Sequence, residues 1–110
     1  MSEERIEKTK SVVEAAAHIP AEQKAKLLDA LSKMKPAIAE ASQMDAEHAG
    51  NVAKLVEATA HVAAANRQRP EYLKGLLQDL KKSAENFEAS HPHLTTAIAE
   101  YSTVLSALGI

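Results

Sequence analysis

The chain predicts an all-α fold, an antiparallel up-and-down bundle of four to five helices, and three observations carry that expectation. Alanine, the strongest helix former, fills 22 of the 110 positions, while glycine fills only 3. The aromatic residues are only Tyr72, Phe87 and Tyr101, so the large side chains that favour strands are scarce. Apolar residues recur at spacings of three and four along most of the chain, the period of a helix with one buried face. At this length one domain is expected, residues 1–110, able to bury about two thirds of its unfolded surface in one core.

The first series, Ile6, Val12, Val13, Ala16 and Ala17, follows Ser2 as an N-cap with Glu3 and Glu4 in the first turn, and predicts a helix over 3–18. Pro20 suits the first position of a second helix, whose stripe runs Leu27, Leu31, Met34, Ile38 and Ala41. Pro36 interrupts this segment, yet the stripe stays in phase across it, so helix 2 is expected to kink at Pro36 rather than end. Gly50 followed by Asn51 reads as a helix end and restart, and Val52, Leu55, Thr59, Val62 and Asn66 define the third helix.

Pro70 opens a fourth helix with Leu73, Leu76, Leu77, Leu80, Ala84 and Phe87 inward. His91-Pro92 breaks the chain again, because the residue before proline is pushed out of helical geometry while proline itself suits the first helical position. Leu94, Ile98, Tyr101, Leu105 and Leu108 stripe the fifth helix, and Gly109 with Ile110 has the pattern of a glycine C-cap. An internal echo relates residues 12–19 to 55–62 at five of eight positions, a match that alanine-rich helices also produce by chance.

The segment Phe87-Glu88-Ala89-Ser90-His91-Pro92-His93-Leu94, together with the ending Leu105-Ser106-Ala107-Leu108-Gly109-Ile110, resembles a bacterial family of small helical proteins, domain of unknown function 4404. Ile19-Pro20-Ala21-Glu22 leading into Leu27-Leu28 is similar to that family more loosely. The resemblance implies a small helical fold, with structural weight on Phe87, His91, Pro92, Leu94, Gly109 and Ile110, and it implies no activity.

The absence of cysteine removes disulfides, thiolate metal sites and thiol nucleophiles. The charged opening Met1-Ser2-Glu3-Glu4-Arg5 is unlike a secretory signal, and no apolar run approaches the length of a membrane span, so a cytoplasmic, soluble chain is expected. A formal charge of −2 offers no general attraction for nucleic acid. Residues 67–82 carry Arg67, Arg69, Lys74, Lys81 and Lys82 against Glu71 and Asp79, and residues 83–110 have three glutamates and no Lys or Arg. Such runs are ordinary on exposed helices.

Candidate chemistry is sparse. Asp45-x-x-His48 and Glu88-x-x-His91 have the spacing that dimetal helical bundles use, which makes Asp45, His48, Glu88 and His91 the metal candidates. Glu14 with His18, and Glu57 with His61, share helix faces at i and i+4 and suit ion pairs. His91 and His93 point apart on a helix, and His91 suits a capping role. No Gly-x-Ser-x-Gly elbow occurs, and Gly50, Gly75 and Gly109 are too dispersed for a phosphate loop. No catalytic residue and no cofactor is therefore expected.

The leading expectation is a non-enzymatic interaction or self-associating module. A surface-coating amphipathic protein and a carboxylate/histidine dimetal bundle stand as alternatives. A homodimer is expected because the apolar stripes look wider than one neighbour requires: Ala97, Val104 and Ala107 broaden helix 5, and Val56, Ala60 and Ala63 broaden helix 3.

Overall fold

The computed structural model describes residues 2–65, 70–87 and 90–108. Five helices account for nearly all of them: α1 Ser2–Ala15, α2 Ala21–Met44, α3 Ala46–Ala64, α4 Pro70–Glu85 and α5 Pro92–Ala107, with no strand among the described residues. The chain is an all-α helical bundle.

At 24 residues α2 is the longest helix, and its rise of about 36 Å matches the 37 Å long dimension of the molecule. It packs on α1, α3 and α5, and so serves as the spine. The most extensive pairings, α2 with α5 and α1 with α3, join helices that are not consecutive in the chain.

α2 runs on past Pro36 to Met44. The proline has no N–H for the Ser32 carbonyl, and a helix interior charges about 3 kcal/mol for it. Met34 and Ile38, on either side, are wholly buried, as is Ala41. Each large apolar side chain so buried contributes roughly 1.5–3 kcal/mol, so packing outweighs the local defect. Pro36 itself faces outward.

Several boundaries differ from those the sequence suggests. α1 begins at Ser2 itself and ends at Ala15, with the Ala16 N–H bonded to Val13 O at 3.2 Å to tighten its last turn. Pro20 occupies the N-cap of α2 rather than the first helical position, with φ −56° and ψ 145°. The break expected at Gly50 falls instead at Asp45, a single residue between α2 and α3. Asp45 Oδ1 accepts the His48 N–H at 3.0 Å, a cap worth about 0.5–2 kcal/mol. Gly50 then lies inside α3, where it costs roughly 0.5–1 kcal/mol relative to alanine. The cap at Asp45, with burial of Ala49, Val52 and Ala53, exceeds that penalty.

The core is one cluster reaching every helix, with Ile6 and Val13 from α1, Leu27, Leu31, Met34 and Ile38 from α2, and Tyr101 from α5 among its fully buried members. It absorbs most of the apolar width that suggested a dimer. Val56, Ala60, Ala63 and Ala97 are buried, while Leu55, Val62, Val104 and Leu108 pack partly buried against the core. α3 meets α1, α2 and α4, so a broad stripe on it is used internally. Gly109 and Ile110, the expected C-cap, lie outside the described residues, as does Asn66.

Candidate functional site

Two concavities lie along the outer seam of α2 and α5. One, of about 510 Å³, is lined by Lys33, Pro36, Ala37, Glu40, His93, Thr96, Ala97 and Glu100. The other, of about 670 Å³, adjoins it and is lined by Lys26, Asp29, Lys33, Thr95, Thr96, Ala99, Glu100, Thr103 and Val104. Lys33, Thr96 and Glu100 belong to both. The seam is concave because α5 turns its bulky residues inward, leaving threonines and alanines outside.

Lys33 bridges the seam, with Nζ 3.2 Å from Asp29 Oδ2 and 3.6 Å from Glu100 Oε2. The hydrogen bond to Asp29 is the main cause that raises the Lys33 ammonium above its ordinary value, followed by the charges of Asp29 and Glu100. All three side chains are about half exposed, so water screens these pairs. The seam thus presents hydroxyls, one imidazole and charges of both signs.

The sequence-nominated histidines meet elsewhere, where α3, α4 and α5 come together. The His48 and Phe87 ring centroids are 4.6 Å apart, and those of Phe87 and His91 are 5.7 Å apart. Phe87 is thus wedged between the two imidazoles and is 4% exposed. His48 Nε2 lies 3.0 Å from the Ser83 carbonyl and 3.4 Å from Asn86 Nδ2. An Nε2–H serves the shorter contact and excludes accepting from Asn86, so the tautomer that donates to Ser83 fits better. Asp45 Oδ2 is 4.0 Å from His48 Nδ1, too far for a hydrogen bond.

His91 is the N-cap residue of α5 through its backbone: its carbonyl accepts from Leu94 N at 3.1 Å, its side chain makes no capping bond, and its buried Nε2 has no protein partner. Pro92 follows at the start of α5, and Leu94 is wholly buried. Glu88, the remaining metal candidate, lies outside the described residues. Among the described residues no three His, Cys, Asp or Glu side chains converge to hold a metal.

Long-range polar contacts were the part hidden from sequence reasoning. His18 lies beyond the end of α1, and its Nε2 is 2.8 Å from the Ala63 carbonyl rather than paired with Glu14. Glu57 pairs with Arg5 at 2.9 Å instead of with His61. Thr95 Oγ1 donates to Ala84 O at 3.4 Å, and Lys24 Nζ to Glu14 O at 3.1 Å. With His48 on Ser83, these contacts follow one rule: the last carbonyls of α1, α3 and α4, which lack helical partners, receive donors from elsewhere in the fold.

Tyr101 is wholly buried, with its hydroxyl donating to Val56 O at 3.0 Å and lying 2.8 Å from Thr59 Oγ1. Thr59 Oγ1 in turn reaches Val56 O at 2.7 Å. Burial is the principal cause that raises the Tyr101 phenol above its ordinary value, with the Thr59 hydrogen bond opposing it. The signal for this pair was available, since Thr59 and Tyr101 stand in phase with the apolar stripes of their helices.

Comparison with known families places this arrangement. The sequence profile of a family described as a domain of unknown function, DUF4404, matches residues 27–110. The chain belongs to this family. The DUF4404 match takes in the middle segment 36–66 as well as the Phe87–Leu94 turn and the C-terminal helix, and so joins stretches between which the sequence showed no resemblance. It contains all of α5 and every α2 residue of the seam except Lys26, while α1 and the Ile19–Glu22 segment precede it. No curated protein and no solved structure matches the chain.

Proposed function

We propose that this DUF4404 chain is a non-enzymatic protein-interaction module of the bacterial cytoplasm, with the α2–α5 seam as its binding face. The observation that carries this reading is the pair of adjoining concavities along one seam, floored by small side chains and bordered by charges. Small side chains on a concave surface let a partner approach closely, and the charges along it fix the partner's register. The polar contacts of His18, His48 and Tyr101 are committed to holding helices together. No helix among the described residues is long and apolar enough to cross a membrane.

The reading is tested by placing a photo-reactive side chain at Thr96, exposed in the seam, and separately at Gln78, exposed on α4. Irradiation in the native cell is expected to give discrete protein adducts from Thr96 and none from Gln78. Equal labelling at both positions, or labelling at Gln78 alone, overturns the assignment of the face.

A further inference from the structure

We infer that the occupant of the α2–α5 face is a second copy of this chain, docked about a two-fold axis at Lys33. This inference rests on the reading of that seam as the interaction face. The α2 charges bordering the two concavities are Lys26, Asp29, Lys33 and Glu40. Lys33 stands seven positions after Lys26, and Glu40 seven positions after Lys33. Each interval is close to two helical turns, about 10.5 Å. The two end charges therefore share a face, stand equally far from Lys33 and are opposite in sign.

A two-fold axis through Lys33 and across α2 runs the two α2 helices antiparallel. It sets Lys26 against Glu40 of the partner subunit, and its symmetry repeats the contact. Asp29 then faces Ala37 of the partner subunit, with no like charge opposite it. Lys33 meets its own copy at the axis, but Asp29 and Glu100 of its own chain, at 3.2 and 3.6 Å, already compensate its charge. The same axis exchanges the two concavities, laying the one that ends at Glu40 over the one that ends at Lys26. Outward on α5 stand Thr96, Ala99 and Thr103, small enough to let the backbones approach, and α5 carries no Lys or Arg. An isologous contact of this kind closes on itself and leaves no open edge.

The test uses charge complementation, read as mass by light scattering during size exclusion. The wild-type chain is expected at twice 11.8 kDa. Lys26→Glu alone turns both end contacts acidic against acidic, and Glu40→Lys alone turns both basic against basic. Each variant should dissociate on the order of tenfold more readily. Mixed in equal amounts, the two variants regain opposite signs at both ends and should return to the dimer mass. Circular dichroism of each variant confirms that it is folded. A wild-type chain that stays at 11.8 kDa at millimolar concentration overturns the inference, as does a mixture of folded variants no more dimeric than either alone. Adducts from Thr96 to a different protein, with a monomeric wild type, would retain the interaction face and remove the dimer.

Discussion

On its inward side α5 carries Leu94, Ile98, Tyr101 and Leu105, all but fully buried, with the Tyr101 hydroxyl tied to Val56 and Thr59 of α3. On its outward side the same helix carries Thr96, Ala99, Glu100 and Thr103, all exposed, with one screened ion pair to Lys33. The contrast separates two kinds of residue. Changes on the inner side alter the folding equilibrium, because buried groups lose contacts that water cannot replace. Changes on the outer side leave folding nearly untouched and report on association alone.

The largest effect is expected at Phe87, wedged between His48 and His91. Phe87→Ala should lower stability by about 3–5 kcal/mol, read as a shift in denaturant midpoint at unchanged slope. A midpoint within error of wild type would mean that the junction of α3, α4 and α5 is not packed as described.

Tyr101→Phe comes next, with an expected loss of about 1–2 kcal/mol, since Val56 and Thr59 each lose a buried partner. The same residue sets a pH dependence. Its phenol is raised above the ordinary value of 10, so the folded chain holds this proton where the unfolded chain releases it. The contribution is complete below pH 10 and is lost as pH climbs above it. In a Tyr72→Phe chain, where Tyr101 is the only tyrosine, phenolate absorbance should appear together with the loss of helical circular dichroism. Phenolate appearing while the helices persist would show that the hydroxyl is not sealed.

Gly50→Ala should stabilise, because a Cβ built there meets nothing within 4 Å and the position lies inside α3. A gain of roughly 0.5–1 kcal/mol is expected, measured as a raised midpoint. A loss would restore the helix break that the Gly50-Asn51 pair suggests. The smallest effect belongs to the outer side: Lys33→Ala should leave the denaturation midpoint of the monomer within error, despite removing contacts to both Asp29 and Glu100. A clear fall would move Lys33 into the class of Tyr101 and erase the contrast.

The sequence alone determined the helical class, the starts of α4 and α5 at Pro70 and Pro92, and the inward phase of Leu73, Leu80, Phe87, Leu94 and Ile98. These depend on proline geometry and a 3.6-residue period, which act over a few neighbouring positions. It also carried enough of the Phe87–Leu94 turn to indicate the family. The in-phase stripe from Leu27 to Ala41 also indicated that α2 passes Pro36. Tertiary structure alone decided that the next break falls at Asp45 rather than at Gly50, an outcome that turns on burial against other helices. It likewise decided that His18 meets Ala63, 45 residues away, and His48 meets Ser83, 35 residues away. A free carbonyl at a helix end takes whichever donor the packing of the other helices brings within about 3 Å, and no local pattern records which donor that is.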